Sequence, residues 1–189
     1  MISPLTITPE VEDFAELLTS RRDVVQMRCR THKSAVVNEC FDAVADYIAI
    51  HGGERVLGWF IGEWPGVLLL AELHAVWRSE EGRWLDVARH PIPRARILFV
   101  PDERAEIPEI QEPNRYHALS DDDLVARYIH SEEAAHLAAD PNSKYMNLAD
   151  SRLQEAQLHL LRSKAALANK FGWPKGTPIQ ERVLSKIFL

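Results

Sequence analysis

His74 and Asp86 stand on either side of a glycine-bearing turn, a placement that can pair an imidazole with a carboxylate. In such a pair the carboxylate holds the imidazole in one tautomer and stabilises its protonated form. The stretch that carries them runs from Leu68 to Val87. Leu70, Glu72, His74 and Val76 alternate with Ala71, Leu73, Ala75 and Trp77, a period of two that predicts a strand with two distinct faces. The turn is Ser79-Glu80-Glu81-Gly82, where Gly82 supplies the left-handed conformation that closes a three-residue loop. Arg83 to Val87 then returns antiparallel. If paired residue numbers sum to 160, His74 lies opposite Asp86; if they sum to 162, the two are diagonal neighbours. Both registers leave them on one face, within about 5 to 8 Å. An odd sum would separate them.

Cys40 is the third group with chemistry of its own. It lies in Ser34 to His51, a segment with helical spacing of Cys40 or Phe41, Val44, and Tyr47 or Ile48, ended by Gly52-Gly53. If Asn38 is the N-cap, Cys40 sits in the first turn. Unpaired backbone N–H groups and the helix dipole there stabilise a thiolate relative to a free thiol of pKa about 8.5, and the same N–H groups can receive an oxyanion. A start at Ser34 instead puts Cys40 in the middle of a longer helix. The sequence leaves both starts open.

The elements around these groups follow from local pattern. Thr8-Pro9-Glu10 caps and opens a helix with Val11, Phe14, Leu17 and Leu18 on its apolar face. Residues 23–30 fit strand and helix equally well. Residues 54–63 read as a strand, Trp64-Pro65-Gly66 as the turn into the hairpin, and residues 95–100 as a short apolar strand ending at Pro101. Four strands after a helix predict an α+β fold, an antiparallel sheet with the Cys40 helix packed on it. Residues 1–101 form this core. The acidic, proline-bearing stretch 102–118 reads as a connector, and 119–189 as a helical C-terminal part packing on the core. Within that part, Ser120 is the cap of one helix, broken at Asp140-Pro141-Asn142. Leu148 to Phe171 is a second helix with two apolar stripes, and residues 177–189 form a last short helix or docking tail.

Bulk properties bound the function. The chain has 189 residues and a net charge of -6, with no basic run to neutralise phosphates, so nucleic acid is not the expected partner. The longest nearly uncharged stretch, residues 56–71, holds Glu63 and Pro65 and is too short to span a bilayer; the N-terminal residues lack a basic region followed by an apolar core. No membrane association is expected. Two cysteines, Cys29 and Cys40, make no disulfide framework and suit a reducing cytoplasmic setting.

A cysteine at a helix start, a histidine on one strand and an aspartate on the next is an order that resembles the transglutaminase-like branch of the papain-like cysteine enzymes. The matching words are NECFDAVADYI, ELHAVW and GRWLDV, and the resemblance covers about residues 38–87. It implies a papain-like or transglutaminase-like fold and thiol-dependent acyl transfer by an amidase, peptidase, deamidase or transamidase. Cys40 would attack a carbonyl carbon, His74 would take and return the proton, and Asp86 would orient His74. Asn38 or Gln26 would support the oxyanion, and the substrate would be a peptide, protein or small amide. No cofactor is implied.

Other readings of the same residues stand beside this one. Trp59, Trp64, Trp77 and Trp84 line an acyl pocket or belong to the core, and Glu72 binds a substrate cation or is a solvated acid. Cys29 reads as structural. Cys40, His51 and His74 form a zinc alternative that lacks any close ligand pair. Glu133 and His136 have the spacing of half a di-iron site without its other half, and His130, Glu132 and His136 read as a polar helix face. A non-catalytic binding protein on the same fold, self-associating through residues 148–171, is the alternative of a different class.

Overall fold

A computed structural model describes residues 6–139 and 150–174, together with Thr177, Ile179 and Arg182. The chain divides into two compact units. One comprises Ser3–Glu63 and Leu69–Ile107; the other gathers Trp64–Leu68 and Pro108–Leu189. The expected break at Asp140-Pro141-Asn142, the helix start at Leu148 and most of the tail from residue 177 lie outside the described residues.

The first unit opens with α1, Pro9–Thr19. Thr8 caps it by accepting from Val11 N at 3.4 Å, and Pro9 takes the first position, where its missing N–H costs nothing. Its buried face is Val11, Phe14 and Ala15, while Leu17 is 71 % exposed and does not share it. The ambiguous residues 23–30 contain β1, Val25–Cys29. After α2, Cys40–His51, come β2, Glu54–Trp64, β3, Leu68–Arg78, β4, Trp84–Asp86, and β5, Arg96–Pro101.

These strands follow the order β2-β5-β1-β4-β3, with β2 also paired to β3. The result is a closed five-stranded barrel rather than an open sheet. Antiparallel pairing links β1 to β5, β2 to β5 and β3 to β4, but β1 and β4 run parallel, which corrects the expected all-antiparallel sheet. Closure removes the free edges that an open sheet would leave. The coarse α+β class stands.

Alternation along β3 builds two apolar layers. Val76 points inward to a core of Met27, Phe60, Ile97 and Phe99, while Ala75 and Trp77 point outward to pack with Cys40, Val44, Val87 and Ala88 beneath α2. Trp77 Nε1 donates to Gly52 O at 2.7 Å and ties the outer layer to the end of α2. Gly58 on β2 allows the close approach of β5. A Cβ there would overlap Val100 O and fall 2.7 Å from Phe99 Cζ.

In the second unit, the stretch expected to be a connector contains a strand, β6, Arg115–Ala118, and Leu119 N donates to Val67 O at 2.8 Å. Two helices follow, α3, Asp123–Ala138, and α4, Ser151–Phe171, packed against each other. Asp122 rather than Ser120 caps α3, accepting from Leu124 N at 3.0 Å, and Ser120 Oγ in turn accepts from Asp122 N. Asp150 caps α4 in the same way. Trp64 donates from Nε1 to Gly172 O at 3.1 Å and stacks on Trp173, with its ring edge to Tyr128. It is therefore core here, not an acyl-pocket wall.

Candidate functional site

The hairpin that carries His74 and Asp86 forms as its turn chemistry requires. Ser79 N and Gly82 N donate to Arg83 O and Ser79 O, both at 2.9 Å, and Gly82 has φ +81°. Trp77 pairs with Leu85 and Arg78 with Trp84, so the register sums to 162. His74 and Asp86 are diagonal neighbours, and His74 Nε2 lies 3.2 Å from Asp86 Oδ1. Asp86 is fully buried and His74 is 5 % exposed.

Cys40 reaches this pair because of the chain between β1 and α2. Beyond Cys29 it continues alongside the exit of β4: Arg30 N donates to Asp86 O and His32 N to Val87 O, both at 2.8 Å, and Val37 bridges Arg89. Asn38 then takes φ +67°, and α2 begins at Cys40 with Glu39 as its N-cap. The cap is thus one residue later than Asn38, and the reading that buries Cys40 mid-helix is excluded. The Glu39 side chain makes no capping hydrogen bond, which leaves first-turn N–H groups without that partner. Although Cys40 belongs to the outer apolar layer and is 9 % exposed, its thiol is a hydrogen-bonding neighbour of the His74 imidazole.

Burial alone would push the His74 pKa down. Hydrogen bonding to Asp86 and to Cys40, with the attraction of both, outweighs that and raises it above the ordinary histidine value. For Asp86, burial pushes up, but hydrogen bonds from His74 and His90 hold the carboxyl well below the usual carboxylate range. The pair is built to carry charge on both partners.

His90 and Cys29 were not legible as site residues. His90 Nε2 contacts Asp86 Oδ2, and Cys29 Sγ donates to the same oxygen at 3.5 Å. Cys29 is the ladder partner of Asp86 across the parallel β1–β4 pair, and burial followed by Asp86 pushes its thiol up to about 12. Asp86 Oδ1 also accepts from Ala88 N at 3.0 Å. The only local signal for His90 is its position four residues after Asp86, on a loop rather than a regular element. Arg94, from the same loop, stacks its guanidinium 4.7 Å above the Phe60 ring; burial lowers its pKa, against the charges of Glu72, Cys29 and Asp86.

The remaining candidates are dispersed. Glu72 is exposed and interacts electrostatically with Arg94. Trp84 joins the inner core, 6.3 Å from Phe99, with Arg78 over its face. Trp77 packs under α2, and Trp59 donates to Asp102 Oδ2 at 3.2 Å. Asn38 is exposed. Gln26 is also exposed, on the opposite face of β1 from Met27 and Cys29, and accepts from Arg96 at 3.2 Å. His51 ends α2 whereas Cys40 begins it, about 16 Å away at 1.5 Å per residue, so the Cys40-His51-His74 zinc set does not close. On α3, Tyr128 donates to Glu132, and Glu132, Glu133 and His136 line a cleft of about 260 Å³ with Glu112 and Tyr116.

No family model, curated protein or solved structure matches the chain. Among the described residues, no helix is long and apolar enough to cross a membrane.

Proposed function

We propose that the protein is a thiol-dependent acyl-transfer enzyme of the transglutaminase-like or papain-like kind, acting on an amide of a peptide, protein or small molecule in a reducing, cytoplasmic setting. The observation that carries this reading is the Cys40 thiol, at the first residue of α2, beside an imidazole that Asp86 holds at 3.2 Å. With Nε2 engaged by Asp86, Nδ1 is the nitrogen left to take the Cys40 proton. The thiolate attacks the carbonyl carbon, and the carbonyl π pair moves to oxygen, where first-turn N–H groups of α2 receive it. Collapse expels the amine, which takes its proton from His74, and leaves a thioester on Cys40. Water or a second amine then attacks the thioester, with His74 as base. Both cysteines are free thiols, as this chemistry requires.

The test uses the two cysteines as each other's control. A small haloacetamide at neutral pH, read by peptide mass, is expected to label Cys40 while Cys29, its thiol pushed up to about 12, stays unmodified. His74→Ala should slow Cys40 labelling at least tenfold with the fold retained. Cys40→Ala should abolish hydrolysis of amide substrates found by screening. Equal labelling rates in wild type and His74→Ala, or a Cys40 inert until denaturation, would defeat the reading in favour of a non-catalytic binding protein.

A further inference from the structure

Asp86 presents two different oxygens. Oδ1 serves His74 and the Ala88 N–H, while Oδ2 faces Cys29 and His90. On that second side, Cys29 Sγ, a carboxylate oxygen of Asp86 and a ring nitrogen of His90 all lie within 4.8 Å of one another. Two of the three are fixed by regular structure, since Cys29 and Asp86 are ladder partners on adjacent parallel strands. The third arrives from the loop that leaves β4.

We propose that Cys29, Asp86 and His90 form a binding site for a thiophilic transition-metal dication of the Zn²⁺ type. A tetrahedral ion with ligand distances of about 2.0–2.3 Å needs its ligand atoms roughly 3.3–3.8 Å apart. The 3.5 Å between Cys29 Sγ and Asp86 Oδ2 already falls in that span, whereas the His90 Nε2–Asp86 Oδ2 contact is closer and must widen, as the loop carrying His90 moves back, to admit the ion. The contacts now linking these groups are hydrogen bonds through protons that an ion would replace. On binding, the Cys29 S–H proton goes to solvent, the thiolate and carboxylate neutralise the dication, and His90 contributes a neutral nitrogen. Arg94 adds a positive charge nearby, and Glu72 offsets it. A thiolate, an imidazole and one carboxylate oxygen select Zn²⁺ or Co²⁺ over Mg²⁺ or Ca²⁺, which take oxygen ligands. Three protein ligands leave a fourth position for water. The site uses Oδ2 and the other cysteine, so it does not depend on acyl transfer through Cys40.

Co²⁺ titration of the chelator-treated full chain tests it. Wild type should bind one Co²⁺ per chain, with a thiolate-to-cobalt charge-transfer band and the intense visible bands of a tetrahedral ion, and Zn²⁺ should displace it. Cys40→Ser should keep the band. Because the chain has two cysteines, that result assigns the thiolate to Cys29 even if a Cys29 variant fails to fold. Cys29→Ser should lose the band, and His90→Ala should bind more weakly than the roughly 100-fold that loss of an outer partner costs. No stoichiometric binding by wild type, a band that survives Cys29→Ser, or one lost in a folded Cys40→Ser would overturn the proposal. Neither the band nor its loss reports on Cys40 labelling, so the two readings fail separately.

Discussion

Asp86 is a fully buried carboxylate with donors on both oxygens, and burying a charge is tolerable only with such partners. Truncating it to Ala leaves two histidines, the Cys29 thiol and a backbone N–H without their acceptor. The expected cost is about 3–5 kcal/mol of stability, measurable by urea denaturation, and a loss below about 1 kcal/mol would contradict the buried pair. The pH profile of the metal-free protein carries the same signature. The His74 pKa is raised by its partners above an unfolded value of about 6.5, so its stabilisation is complete below that pH and fades as pH climbs through the folded value. The Asp86 pKa is depressed below an unfolded value of about 3.9, so its share is complete above that pH and fades in acid. Thermal melts should therefore show an alkaline decline that is absent in His74→Gln. An unchanged alkaline slope in that variant would mean His74 gains nothing from Asp86.

The barrel sets the positions of these groups at the next scale. Parallel pairing of β1 with β4 puts Cys29 beside Asp86, and the continuation past Arg30 and His32 delivers the first turn of α2 to the same place. Barrel closure in turn depends on β2 meeting β5 at Gly58, where no side chain fits. Gly58→Val should force these strands apart and lower the melting temperature of the whole unit, with Cys29 becoming open to alkylation as Cys40 already is in the wild type. A variant as stable as wild type would mean that β5 can shift without disturbing the site.

At the scale of the whole molecule, the chain passes between units more than once. The boundary at Ile107 and Pro108 lies inside the acidic stretch 102–114, yet Trp64–Leu68 belongs to the second unit, where Trp64 packs with Tyr128, Gly172 and Trp173. Limited proteolysis should cut first within residues 102–114, on exposed polar chain. The two fragments should then co-elute in gel filtration and separate only in denaturant, because the first carries the Trp64 segment that completes the second unit. Fragments that part under native conditions would show that Trp64 is dispensable.

Local pattern determined the hairpin, its turn, and the caps Thr8 and Gly52, while the face shared by His74 and Asp86 followed only for an even register sum. Each of these depends on residues within a few positions of one another, through strand alternation, positive φ or capping. Tertiary structure decided the rest. The register sum of 162 rather than 160 is set by the hairpin's own pairing, a choice that alternation leaves open. Helix α2 starts at Cys40 after the chain leaving β1 has run along the exit of β4. The strand state of residues 25–29 rests on pairing with distant strands. So does the association of Cys29 and His90 with Asp86, which needs a parallel neighbour 57 residues away and a loop with no periodicity to read. A strand's propensity and a loop's composition carry no address for their partners; that address exists only once the barrel has closed.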